Sequence, residues 1–300
     1  ADKPLSGLVT APSNTAIDEL MDDVAALVEK LQSDPDGPAG FENINLVRLS
    51  GDRPDHASDV VEYADYNDDD GEKRLDELKS VLLGGSSVAT DGGTTAGSDS
   101  QATFDSFTES DSSESIESED LEHTLFFATP TKSWGLLKHF SGSSDADSIA
   151  NQRYWDLVAI DEASMMSMPK LLLAGTAMES EAQLLVSGDH RQLPPVQKHD
   201  WGAETRRDIR DAIPYLSALD YLRLLAGDAD VIDTETAEIF SHDVDSDAIE
   251  IPMIRLDETY RFGPQTAEFV RRSVYEADGI DYDSGRKAAD IETRHTATTA

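Results

Sequence analysis

The chain has no cysteine, few lysines and no long apolar run, and each absence excludes something. Without Cys, neither a disulfide nor a thiolate metal site can form. No stretch approaches the roughly 18 apolar residues of a membrane-spanning helix. The amino end lacks a basic-then-apolar signal pattern. The chain therefore reads as soluble and cytoplasmic, with no membrane partner. Positive charge is the scarcest commodity: 24 Lys and Arg face 61 Asp and Glu, a net charge of −37. Nine of those cations are Lys and fifteen are Arg. In dilute salt such an excess repels nucleic acid and strains the compact state. In molar salt the Debye length falls to about 3 Å, so the repulsion fades while the carboxylates keep the surface hydrated. The composition points to a salt-accumulating cytoplasm of the haloarchaeal kind. An acidic mesophile, or an acidic disordered segment inflating the count, is the alternative.

What is present has the layout of an α/β protein. With 300 residues there is room for one large or two ordinary domains with a real core. A short apolar piece, Gly7 to Thr10, precedes Ala11-Pro12-Ser13-Asn14-Thr15 and a helical stripe from Ala16 to about Gln32, carried by Ile17, Leu20, Met21, Val24, Leu27, Val28 and Leu31. Thr15 with Asp18 suggests a capping box. Ile44 to Leu49 reads as a second strand. From Gly51 to about Glu122 the character changes: Leu75 to Leu83 has helical spacing, but Gly84 to Asp120 is too poor in apolar residues to offset ordering entropy. Residues 51–120 are expected to be an acidic, partly disordered insertion. Order resumes with a strand at Thr124 to Ala128, then a helix through Phe140. Residues 201–250 read as a second insertion, Ile251 to Tyr260 as a strand, and Pro264 to Tyr275 as a helix begun by Pro. The last twenty or so residues are expected to fray.

The chemistry concentrates between Leu157 and Val196. The segment LVAIDEAS is followed by a helical stretch and then by QLLVSGDHRQLPPV. Both apolar runs resemble buried parallel strands, each delivering polar groups at its carboxyl end, where open α/β sheets bind ligands. Adjacent carboxylates at a strand end point to different sides, so Asp161 is placed to hold a metal and Glu162 to polarise a water. A helix amino terminus, where acidic residues favour the dipole, is the structural alternative for that pair. Gln192 offers an amide that both accepts and donates, and Pro194-Pro195 stiffens the exit. Ser13, Asn14 and Thr15, with the backbone N–H groups of a helix start, form an uncharged phosphate grip, or an ordinary capped start. His190 and His199 read as solvated loop positions, and Trp134, Trp155 and Trp201 as packing residues.

The DEAS and GDHRQL segments, in this order, resemble motifs II and III of superfamily 1 helicases. APSNTAIDEL resembles motif Ia of the nonsense-mediated-decay helicase-like group, and LDETYRF at Leu256 to Phe262 resembles motif IV. The resemblance runs from Gly7 to about Tyr275 and implies a RecA-like parallel sheet: 1–50 and 121–200 as the first motor domain, 251–300 as the start of a second. It implies ATP and Mg²⁺ as cofactors, single-stranded DNA or RNA as partner, and translocation 5′ to 3′. Asp161 would then hold Mg²⁺ and Glu162 activate water. Gln192 would sense the γ-phosphate, and Arg261 would act as an arginine finger. Pro12, Ser13, Asn14 and Thr15, with Thr129 and Pro130 ahead of Lys132, would contact the nucleic-acid backbone.

The sequence departs from the family in two respects: no G-x-x-x-x-G-K-[ST] phosphate loop occurs, and the later motifs of the second RecA-like domain, including its other arginine, are expected to lie beyond residue 300. The expectation is that the chain is part of a longer helicase and is itself nearly inactive. A helicase-like module that binds nucleic acid or a partner without turnover is the second reading. An ATPase of another kind on the same core is the third.

Overall fold

The computed structural model describes residues 4–34, 43–51, 58–82, 123–196, 215–226 and 251–286. The chain divides into two compact units, Ala1–Gly188 and Asp189–Ala300.

The first unit is built on six strands in the order β3-β2-β4-β1-β5-β6, every neighbouring pair parallel. They are β1 (Ser6–Thr10), β2 (Ile44–Leu49), β3 (Val61–Ala64), β4 (His123–Phe127), β5 (Trp155–Ile160) and β6 (Met178–Val186). Parallel neighbours require crossovers. Helices α1 (Asn14–Ser33), α2 (Asp69–Leu82), α3 (Pro130–Ser141), α4 (Ala146–Ala150) and α5 (Met168–Ala174) run between them.

The sheet's interior explains its sequence. β1 is buried along its whole length, as a central parallel strand with both faces covered must be. On one face Ile17, Met21, Ala25 and Val28 of α1 pack on Val9, Leu46, Val61 and Phe127. Ile17, Met21 and Val28 belong to the stripe expected from the sequence, whereas Ala25 was not part of it and Leu27, which was, is exposed. The opposite face carries an aromatic cluster in which Phe126 meets Trp155 at 5.5 Å and Phe140 at 6.3 Å, and Phe140 meets Tyr154 at 5.3 Å. Burying each such side chain contributes on the order of 2 kcal/mol.

Several expectations change on contact with the structure. The run ending at Val186, expected to be a buried strand, forms one edge of the sheet, with Leu184 and Leu185 exposed. Val61–Ala64 and Asp69–Leu82, inside the segment expected to be an insertion, supply the edge strand beside β2 and a helix with Leu75 and Leu78 buried. The N-cap of α1 is Ser13, whose hydroxyl accepts from Ala16 N at 3.2 Å, so Thr15 lies inside the helix. Of the strand expected from Ile251 to Tyr260, only Glu258–Thr259 (β7) pairs, with Asp283–Ser284 (β8). Met253, Ile254 and Leu256 are exposed.

The second unit also holds helices Ala218–Leu225 and Pro264–Val270, the latter with Pro in its first turn as expected. It continues as a π-helical turn, Arg271–Tyr275. Among the described residues no helix is long and apolar enough to cross a membrane. The expected disorder of 84–120, most of the 201–250 insertion, His199, Trp201 and residues 287–300 of the end expected to fray lie outside the described residues, whereas Asp283–Ser284 of that end is paired in β8.

Candidate functional site at the carboxyl edge of the sheet

Strand order creates the site. From β1 the chain passes through α1 toward β2 on one side, whereas its neighbour β5 sends the chain through α5 to β6 on the other. Adjacent strands whose connections diverge leave a crevice at their carboxyl ends, where open α/β sheets take ligands. Thr10 ends β1, Asp161 follows β5 and Ser187 follows β6. They are tied by Asp161 N donating to Thr10 O at 2.9 Å, Ser187 N to Ile160 O at 2.8 Å and Ala163 N to Ser187 O at 2.9 Å.

The two segments singled out in the sequence therefore meet. The Ser187 hydroxyl donates to Asp161 Oδ1. Gly188 lies so close to the turn after Asp161 that a Cβ on it would stand 3.0 Å from Ser164 N and 3.1 Å from Ala163 N. A side chain there would press on backbone, which is why glycine follows this strand.

Glu162 has left-handed backbone, φ 51° and ψ 40°. For a residue with a Cβ that conformation costs on the order of 1 kcal/mol, and such strain gathers at functional turns. It lets the chain turn at once from β5 into the short helix Ala163–Met165 and sets two successive carboxylates on a sharp corner. Next to that corner, the hydroxyls of Ser164 and Thr10 are buried and have no hydrogen-bond partner among the described residues. Leaving such a group unsatisfied costs roughly 1–3 kcal/mol. Among the described residues no set of three His, Asp or Glu is arranged to hold a metal. Asp161 and Ser187 offer one carboxylate and one hydroxyl, a donor set that fits Mg²⁺ taking its remaining ligands from phosphate and water.

Along the same edge, the starts of α1 and α3 follow the adjacent strands β1 and β4. Ser13, Asn14 and Thr15 are exposed and Pro12 half-buried. Asn14 is held from behind: its Oδ1 accepts from Arg48 Nη2 at 3.1 Å. Arg48 is 2 % exposed, and its guanidinium also donates to Asp18 Oδ1 at 2.7 Å, Phe127 O at 3.2 Å and Leu49 O at 3.4 Å. Reading the sequence for strands passed over this residue. Its signal was a lone cation inside the otherwise apolar run INLVRL.

Thr129 caps α3 through its side chain, accepting from Lys132 N at 3.4 Å, and Pro130 is buried at the helix's first position. Both have structural work at this edge. The Lys132 ammonium reaches Asp65 Oδ2 at 3.2 Å and lies 5.4 Å from the Tyr66 ring centre. Burial opposes ionisation of Asp65, but the backbone N–H of Asn67 and Lys132 together hold its carboxyl below the ordinary value.

Gln192 and Arg261 belong to the second unit. Gln192 is exposed at the tip of a turn, its N–H donating to Asp189 O at 3.0 Å. Arg261 has an exposed side chain, and its backbone N–H donates to Thr259 Oγ1 at 3.2 Å. His190 departs from expectation: it is half-buried, with Nε2 2.9 Å from Asp278 Oδ2. The first unit is an α/β fold with a parallel six-stranded sheet flanked by helices. No family model matches the chain, and no curated protein matches it.

Proposed function

We propose that this chain carries the nucleotide-hydrolysing edge of a RecA-like superfamily 1 helicase, acting on single-stranded DNA or RNA with ATP and Mg²⁺. The observation that carries the reading is the corner at Asp161 and Glu162. Two carboxylates, the second in strained left-handed backbone, follow a buried parallel strand at a strand-order switch, and the first is bonded to the end of the next strand. Asp161 and Ser187 would hold the metal, which when bound neutralises charge on the transferred phosphoryl group. Glu162 orients and deprotonates the attacking water. In this reading Gln192 senses the terminal phosphate and Arg261 offsets charge in the transition state, roles that rest on the resemblance of their motifs. Pro12, Ser13, Asn14, Thr15, Thr129 and Pro130 form the nucleic-acid edge, with Ser13, Asn14 and Thr15 presenting the exposed groups. With a charge of −37, contacts through hydroxyls and backbone amides suit this chain better than a basic track. That composition also suits a salt-rich cytoplasm.

One observation favours a second reading, a nucleic-acid- or partner-binding module without turnover: the 300 residues contain no phosphate loop. Hydrolysis of Mg-ATP by the native protein in molar KCl separates the two. Glu162→Gln is expected to lower turnover at least a hundredfold while nucleotide affinity stays within twofold. Turnover equal to wild type would sink the assignment of Glu162. A wild-type protein that binds single strands but never hydrolyses ATP would establish the second reading.

A further inference from the structure

The turn that carries Gln192 is held in place by residues far along the chain. Asp189 is engaged twice: Oδ2 accepts from the Tyr275 hydroxyl, and Oδ1 from Arg191 N at 2.9 Å. Arg191 grips Asp278 with a forked pair of bonds, Nε to Oδ2 at 2.5 Å and Nη2 to Oδ1, and His190 Nε2 adds a third contact to Asp278 at 2.9 Å. Three successive side chains thus close on two anchors. Gln192, the next residue, keeps an exposed side chain, while Pro195 beyond it is buried. The turn is fixed on both sides of a free amide.

The anchors are themselves rigid. Tyr275 ends the π-helical turn, and its ring stacks on Tyr282 with centroids 4.8 Å apart. Asp278 ends the following 3₁₀ turn, and Gly279 reverses the chain with φ 65°. Ile280 N donates back to Tyr275 O at 3.2 Å. π-helical turns are uncommon and recur where a function fixes the backbone. Forked guanidinium–carboxylate pairs are among the stronger and more directional contacts available at a surface.

We infer that Tyr275 and Asp278 are positioning residues for Gln192, holding the 189–192 turn so that its amide is presented in one place. This rests on the reading of Gln192 as the group that meets the nucleotide. The charge pattern agrees: Arg191, then His190, keep the Asp278 carboxyl far below its ordinary range. Burial and the bond to Asp189 push the Tyr275 hydroxyl well up, so it stays a donor.

The test has two arms. Amide exchange is followed by mass spectrometry in the 300-residue chain in molar KCl. Asp278→Asn should speed exchange across 189–193 at least tenfold and leave the β5 segment 155–160 unchanged. Tyr275→Phe should do so by a smaller factor. Unchanged exchange at 189–193 in both variants would overturn the proposal. In the native protein, Asp278→Asn should then lower kcat for ATP about tenfold with KM within twofold. Combined with Gln192→Ala, it should add nothing further. Additive losses would show that Asp278 acts elsewhere and would overturn the positioning role. A Gln192→Ala protein with wild-type turnover would refute the reading of Gln192 while the exchange result stood.

Discussion

The two units differ in what holds them together. In the first, Leu8, Phe126, Phe127, Trp155 and Ile17, Met21, Ala25 and Val28 of α1 are wholly or nearly wholly buried, and parallel strands leave their polar groups to the carboxyl edge. In the second, the described residues bury little beyond Ala218, Ala267 and Ile280, and leave Met253, Ile254, Leu256, Tyr260 and Phe269 exposed. Its order comes instead from directional contacts: Arg191 with Asp278, Tyr275 with Asp189, Glu268 with Arg271 and Arg272. A hydrophobic core is non-directional and tolerates salt, whereas exposed ion pairs contribute little each and weaken in it. In concentrated salt the first unit can hold a strained corner such as Glu162. The second depends on geometry.

The sharpest way to break this contrast is to empty one core site and one surface site. Trp155→Ala should cost about 3–5 kcal/mol in urea unfolding at molar KCl, from lost burial plus a cavity. Phe269→Ala, with the ring 70 % exposed, should change stability by less than about 0.5 kcal/mol. Equal effects would erase the distinction. Next in size, Arg48→Met should cost roughly 2–3 kcal/mol, because Phe127 O, Leu49 O and Asn14 lose their shared donor. Arg48→Lys should recover part of that and leave Asn14 less ordered, read from amide exchange over 12–16.

Smaller effects refine the picture at the edge. Glu162→Gly should abolish turnover and change stability by less than about 1 kcal/mol, because relief of the left-handed strain is offset by loss of the side chain's own interaction. A loss well beyond that would mean that the carboxylate is a major structural tie. Thr10→Val should be neutral or up to about 1 kcal/mol stabilising, because the buried hydroxyl makes no bond among the described residues. A clear loss in the same urea series would reveal a partner for it.

Much of the first unit was legible because its signals are periodic. The spacing Ile17, Met21, Val28 announced α1, and the apolar runs at 157–160 and 184–186 announced two neighbouring strands. Their adjacency then brought Asp161 to Ser187. The second of them was expected to be buried and is one edge of the sheet, with Leu184 and Leu185 exposed. What escaped had no periodic signal. β3 is four residues long inside an acidic stretch, too short to alternate visibly. Arg48 was hidden within a strand pattern. Ser13 and Thr15 are both competent caps, and only the helix's actual start decides between them. The strand expected at 251–260 failed for a different reason. Ile251, Ile254 and Leu256 have strand-like character, but a strand needs a partner, and among the described residues only Glu258–Thr259 pairs, with β8. The left-handed corner at Glu162 and the anchoring of 189–192 by Tyr275 and Asp278 depend on contacts that no local pattern encodes.

In the proposed function, one sheet edge divides into a hydrolytic half at β5 and β6 and a nucleic-acid half at the starts of α1 and α3. The direct test is ATP turnover by the native protein in molar KCl, titrated with single-stranded nucleic acid, for wild type, Asn14→Ala and Glu162→Gln. Wild-type turnover should then rise with added strand. Asn14→Ala should keep the basal rate but need at least fivefold more strand, and Glu162→Gln should lose both rates. A Glu162→Gln protein that still responds to nucleic acid, or Asn14→Ala and Glu162→Gln failing in the same way, would contradict it.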